Sequence, residues 1–164
     1  MKLNEQMLTA LNEQYNAELS NYYNYTAMAS FFEGISLVGI AAWFEKQASD
    51  EQMHAEKFRH YILDRNGKVE HQAVEPAEQN WPTALEPFVL QVKLEEDTSA
   101  NIYKLKKLAF DLDDYATDEL LDWYVSEQVE EEDKATKALD RMKIAINNPA
   151  ALLDMDREFA ESLE

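Results

Sequence analysis

A chain of 164 residues has the length of one domain, and its 46% hydrophobic content is enough for a single core. Acidic residues outnumber basic ones 33 to 15, and the net charge of −18 excludes nucleic acid and anionic membrane as partners while suiting a protein that attracts cations. Cysteine is absent, which also excludes disulfides, thiol catalysis and cysteine-bound zinc.

Charge alone is equally that of a well-solvated acidic surface. The polar opening Met1-Lys2-Leu3-Asn4-Glu5-Gln6 carries no apolar signal segment, and no run approaches the roughly 20 apolar residues of a membrane span. A soluble, cytoplasmic protein is the expectation.

With three glycines and four prolines, long helices are permitted. A first helix is predicted over 3–33, ended by Gly34, and Ser36 is expected to cap a second over 37–66, closed by Gly67. Residues 68–82 carry two prolines and no helical period, and read as a loop. Thr83 and Glu86 form a capping box for a third helix over 83–112, with Pro87 in its tolerant first turn. Asp113-Asp114 interrupts the pattern before a fourth helix over 115–146. Asn148-Pro149 then opens a short fifth helix over 149–161, proline at its first position.

Link lengths constrain the topology. Links of about three residues make helices one and two, and three and four, antiparallel neighbours. The second link, about 16 residues, can span about 50 Å, and a 30-residue helix is about 45 Å long. It can therefore run the length of the bundle and leave helices two and three parallel. The expected fold is all-α: a single-domain four-helix bundle over 1–164 with one long crossover between helices two and three, plus a short C-terminal fifth helix.

Each of the four long predicted helices has an apolar stripe interrupted near its midpoint by an acid. The first reads Leu8, Leu11, Tyr15, Glu18, Tyr22, Tyr25, Ala29, Phe32, and the second Phe44, Ala48, Glu51, His54 or Ala55, Phe58, Ile62. The third reads Phe88, Val92, Glu95, Ser99, Ile102, Leu105, Ala109, and the fourth Leu121, Tyr124, Gln128, Glu131, Ala135, Ala138, Met142. A single glutamate on such a stripe is usually an edge residue whose head reaches water. Four at one depth would repel one another and cost several kcal/mol each if unpaired. Divalent cations remove both penalties by taking carboxylate oxygens directly.

His54 follows Glu51 by three residues and leaves the same helical face. One nitrogen in an oxygen-rich cluster suits iron better than calcium or magnesium. Glu18, Glu51-x-x-His54 and Glu95 supply three of the four elements of a di-iron carboxylate bundle. The fourth departs: a second Glu-x-x-His would fall on 128 and 131, where the chain has Gln128 and Glu131. The pair of sites is therefore expected to be unequal, one iron bound by a histidine and the other, the weaker, by oxygens only. Glu127 and Glu130 are placed to hold a further ion beside them, while Glu132 and Asp133 read as a solvated helix face.

Over essentially its whole length the chain resembles a bacterial non-haem ferritin. The resemblance is carried by Asn12-Glu13-Gln14 with Glu18 and Tyr25, Glu51-Gln52-Met53-His54, Lys93-Leu94-Glu95, and Trp123-Tyr124-Val125-Ser126-Glu127-Gln128 running into Glu130-Glu131-Glu132. It implies an iron-storage and detoxification protein, a ferroxidase that oxidises Fe(II) with O2 or peroxide and deposits ferric mineral in a hollow shell of 24 subunits. By position it implies Glu18, Glu51 and His54 as ligands of the first iron, and Glu51, Glu95 and Glu131 as ligands of the second, with Glu51 bridging. Gln128 would lie near the second iron, and Tyr25 beside the pair as an electron source or as packing. Glu127 and Glu130 match a third iron site whose remaining position, usually glutamate, is Asp50 here.

Haem is not expected, because Gln52 stands where haem-binding relatives carry methionine and Met53 points about 100° away. The fifth helix resembles the family's shell-packing segment. Two other readings of the same bundle are a di-iron oxidoreductase acting on an organic substrate, and a metal-free interaction bundle.

Overall fold

The computed structural model describes residues 2–163. Among them are five helices and no strand: α1 Glu5–Gly34, α2 Val38–Asp64, α3 Glu86–Asp111, α4 Tyr115–Ala145 and α5 Pro149–Glu161. Asn4 caps α1 by accepting from Gln6 N, Asp114 caps α4 by accepting from Thr117 N, and Asn148 caps α5 by accepting from Ala150 N and Ala151 N. Each supplies an oxygen to amides that have no partner within the helix.

Two helix starts differ from expectation. Ser36 does not cap α2; it takes a left-handed φ of 65° in the turn, and Leu37 precedes the helix without a side-chain cap. The cap comes from 116 residues away: Asp156 Oδ1 on α5 accepts from Ile40 N at 2.8 Å. The approach depends on Gly39, where a Cβ would lie 1.9 Å from the carbonyl oxygen of Asp156. The third helix starts at Glu86, not at Thr83, and Glu86 Oε2 accepts from Thr83 N at 2.9 Å across the turn before it.

The crossover supplies the topology. Asn12 and Asn16, one turn apart on α1, each use both ends of the amide on its backbone. Asn12 Nδ2 donates to Lys68 O at 3.0 Å and its Oδ1 accepts from Glu70 N at 2.7 Å. Asn16 Nδ2 donates to Glu70 O and its Oδ1 accepts from Gln72 N, both at 2.8 Å. Two side chains thus act as a strand's edge for a segment with no strand beside it. Farther on, Trp81 packs edge-on against Phe31, 5.3 Å between ring centres. The segment therefore travels from the start of α1 to its end, so α2 and α3 run parallel, each antiparallel to its hairpin partner.

The core forms two dry slabs. One holds Phe32, Phe44 and Phe88, with Phe44 5.3 Å from Phe32 and 5.0 Å from Phe88, and is closed by Met142 and Met155. The other holds Leu11, Ile62, Ile102, Leu121 and the stack of Phe58 on Tyr124 at 4.2 Å. Between them lies a buried polar layer. The predicted stripes are largely internal, but Tyr22 is 38% exposed and Asn21 occupies the inward position instead.

Candidate metal centre

The polar layer takes one acid from each helix of the bundle. Glu18 of α1, Glu51 and His54 of α2, Glu95 of α3, and Gln128 and Glu131 of α4 are all buried. Hydrogen bonds tie the four helices into a closed ring at this depth. Asn21 on α1 donates to Glu51 on α2 at 3.5 Å, and Tyr25 on α1 donates to Oε1 of Glu95 on α3. Gln128 on α4 donates to Oε2 of the same glutamate at 3.2 Å, and Tyr124 on α4 donates to the backbone carbonyl of His54 on α2 at 2.8 Å. Such bonds fix rotamers that a 30-residue helix would otherwise leave loose.

Three of these residues converge. Ligand atoms of Glu18, Glu51 and His54 all lie within 4.8 Å of one another. Glu18 is oriented by Gln14, whose Nε2 donates to Oε1 at 2.8 Å, while its Oε2 has no partner. His54 Nε2 has none either. Buried polar atoms are nearly always paired, so a free carboxylate oxygen and a free imidazole nitrogen in one cluster suit a cation held between them. Glu95 and Glu131 are also in the layer but are engaged elsewhere, Glu95 by Tyr25 and Gln128, Glu131 by Lys134 at 2.7 Å.

Electrostatics agree with that division. Burial raises the Glu18 carboxyl above its usual range, against the bonds from Glu51 and Gln14. Burial, then the charge of Glu18, pushes Glu51 well above it. Burial brings Glu95 to about 7 in spite of its bonds from Tyr25 and Gln128. Burial lowers His54 to about 4, so its imidazole is neutral and has a lone pair to offer. Without a cation the layer holds protons; a divalent ion would release them and take their place.

The outer acids are arranged differently. Burial raises Glu127, followed by the charge of Glu131, with Glu130 and Asp50 adding to it. These four acids therefore share one field. Glu130 is exposed, and both oxygens of Asp50 lie 2.5 Å from Lys46 Nζ. Glu132 is not on a solvated face as its position suggested: it is half-buried and accepts from the Ser99 hydroxyl of α3. Asp133 is exposed and pairs with Lys137.

Sequence reasoning did not single out Asn21, Lys134 or Gln91. Asn21 sits one residue from the stripe position given to Tyr22. Gln91, one turn before Glu95, is wholly buried with both amide atoms unpartnered. Of the tyrosines of α1, Tyr25 stacks on Phe44 at 6.2 Å, and Tyr22 and Tyr23 face outward.

Residues 8–145 match the family model of the ferritin-like domain. A bacterial non-heme ferritin of Staphylococcus aureus is 36% identical over 130 residues, 79% of this chain and 78% of its own length. One from Staphylococcus saprophyticus is 38% identical over the same extent. Among solved structures, the open-pore ferritin of Archaeoglobus fulgidus superposes with a TM-score of 0.94 at 36% identity, covering 97% of this chain and 98% of its own.

Proposed function

The chain belongs to the ferritin family, an iron-storing and iron-oxidising cage former, and on that premise we propose that two ferrous ions bind in the polar layer and are oxidised there. The first ion takes Glu18, Glu51 and His54; the second takes Glu95 and Glu131, with Glu51 shared between them. Each ion gives up one electron, and O2 accepts two electrons and two protons to become peroxide, itself an acceptor for a further ferrous pair. Tyr25 and Gln128 hold Glu95 in place, and Tyr25, hydrogen-bonded to that ligand, is the candidate electron source. Glu127, Glu130 and Asp50 take a third ion on its way to or from the pair. The ferric product collects inside a shell of 24 copies, and the cytoplasm is its compartment.

One observation carries this reading: the unpartnered Glu18 Oε2 and His54 Nε2 in a cluster no wider than 4.8 Å. Carboxylates favour the higher-charged ion, so oxygen-rich ligation lowers the cost of oxidation. The dry slabs above and below strengthen each charge interaction.

Anaerobic Fe(II) titration followed by exposure to air tests the chemistry. The native protein is expected to develop ferric absorbance in two steps of unequal affinity, and Glu51→Ala to lose both. A Glu51→Ala variant that oxidised iron at the native rate would end the proposal. Gel filtration tests the shell, with elution near half a megadalton expected.

A further inference from the structure

Lys134 lies one turn after Glu131 on α4 and places its Nζ 2.7 Å from Oε1 of that carboxylate. The side chains are 47% and 5% exposed, so a surface cation reaches along its own helix onto a core acid. Lys46 treats Asp50 likewise, 2.5 Å from both oxygens. The Glu18, Glu51 and His54 cluster has no such lysine bond, and two of its ligand atoms are unpartnered.

We propose that Lys134 is a tethered counter-ion of Glu131, whose ammonium holds the face of that carboxylate that the second ferrous ion must take and swings into water when that ion binds. With Glu131 taken as an iron ligand, as above, the inequality of the two sites has a second source besides the missing histidine. The first ion meets free ligand atoms. The second must displace a covalently attached cation whose local concentration is fixed by the helix. The same ammonium takes the carboxylate back when the ion leaves, which favours release over retention. Lys134 is a positioning residue: it touches the ligand and not the iron.

Zn(II), which does not change oxidation state, serves as the probe in calorimetric titration of the assembled protein. The native chain is expected to show a tighter and a weaker class of site. Lys134→Gln is expected to tighten the weaker class by roughly five- to tenfold, the loss of a partly buried ion-pair competitor, and to leave the tighter class unchanged. Lys137→Gln removes the same charge one turn further on, where the partner is Asp133, and is expected to change either class less than about twofold.

Equal tightening by the two lysine variants, or none by Lys134→Gln, overturns the proposal. Glu131→Gln separates this from the underlying assignment. It is expected to remove one ion per subunit from the weaker class, which the outer acids Glu127, Glu130 and Asp50 also fill, and an unchanged stoichiometry would overturn Glu131 as a ligand and the tethered counter-ion together.

Discussion

Tyr25 of α1 gives its hydroxyl proton to Oε1 of Glu95 on α3, and burial, with Glu95, Glu51 and Glu131 around it, keeps the phenol protonated far above its usual range. Donor and acceptor are therefore fixed. Tyr25→Phe keeps the ring on Phe44 and removes only the donor. The bond to Tyr25 is one of the interactions that restrain the Glu95 pKa, already about 7, so that pKa rises and protons compete harder with metal. Zn(II) affinity at the second site is expected to fall about fivefold at pH 7 and to recover above pH 8. Equal weakening at both pH values would show that the hydroxyl acts through geometry and not through the proton.

The metal-free protein is expected to be most stable under mildly acidic conditions. Glu18, Glu51 and Glu95 titrate higher folded than unfolded, so each stabilises the fold below its unfolded pKa and loses that contribution as pH rises through the folded one. For Glu95 alone, a carboxyl at about 7 rather than 4.5 costs on the order of 3 kcal/mol above both values. His54 opposes this, since its folded pKa near 4 loses stability as pH falls below 6.5. Three carboxyls outweigh one imidazole, so the melting temperature of the metal-free protein should be higher at pH 5.5 than at pH 8, and excess Zn(II) should reverse the order. Glu51→Gln is expected to flatten the metal-free difference while abolishing tight binding. A metal-free protein more stable at pH 8 than at pH 5.5 would contradict these shifts.

Much of this was legible in the chain, because burying acids at helical spacing is costly enough to be conspicuous. Glu18, Glu51, His54, Glu95 and Glu131 interrupt apolar stripes, and a helical period can be read over 30 residues. Positions one step off the stripe were harder: Asn21 and Tyr22 differ by 100° on the helix, and a strict seven-residue repeat drifts about 20° per heptad against a straight helix. Contacts far apart in sequence carried no local signal. The cap of α2 by Asp156, the bond from Ser99 to Glu132 and the anchoring of the crossover by Asn12 and Asn16 depend on which faces meet, which no period encodes.

Gln91 gives a prediction of opposite sign to most core substitutions. Its amide is wholly buried and makes no hydrogen bond, so it contributes desolvation cost without return. Gln91→Leu keeps the approximate volume and removes both orphan atoms, and is expected to stabilise the metal-free protein by about 1–2 kcal/mol in urea denaturation. A loss of stability would show that the amide holds a buried partner.

Gly39 is the point where α5 touches α2. Gly39→Ala would put a methyl 1.9 Å from the Asp156 carbonyl oxygen, so α5 must move and Ile40 N loses its cap. A destabilisation of about 2–3 kcal/mol is expected, from overpacking and the lost cap together. Asp156→Ala removes the cap without the clash and should cost about 1 kcal/mol. Equal costs for the two would mean that the close approach contributes nothing.

The two asparagines that carry the crossover also bear on the order in which the molecule assembles. Helices α1 with α2, and α3 with α4, are hairpins whose contacts close over short stretches of chain and so form early. The crossover segment has neither a strand partner nor a helical period, and Asn12 and Asn16 can receive it only after α1 exists as a helix. Its docking is then a late event that locks two preformed halves in parallel register. Asn16→Ala is accordingly expected to accelerate unfolding several-fold while leaving the refolding rate within about twofold, the signature of a contact absent from the transition state. Slower refolding in stopped-flow measurements would instead place the docked crossover inside the folding nucleus.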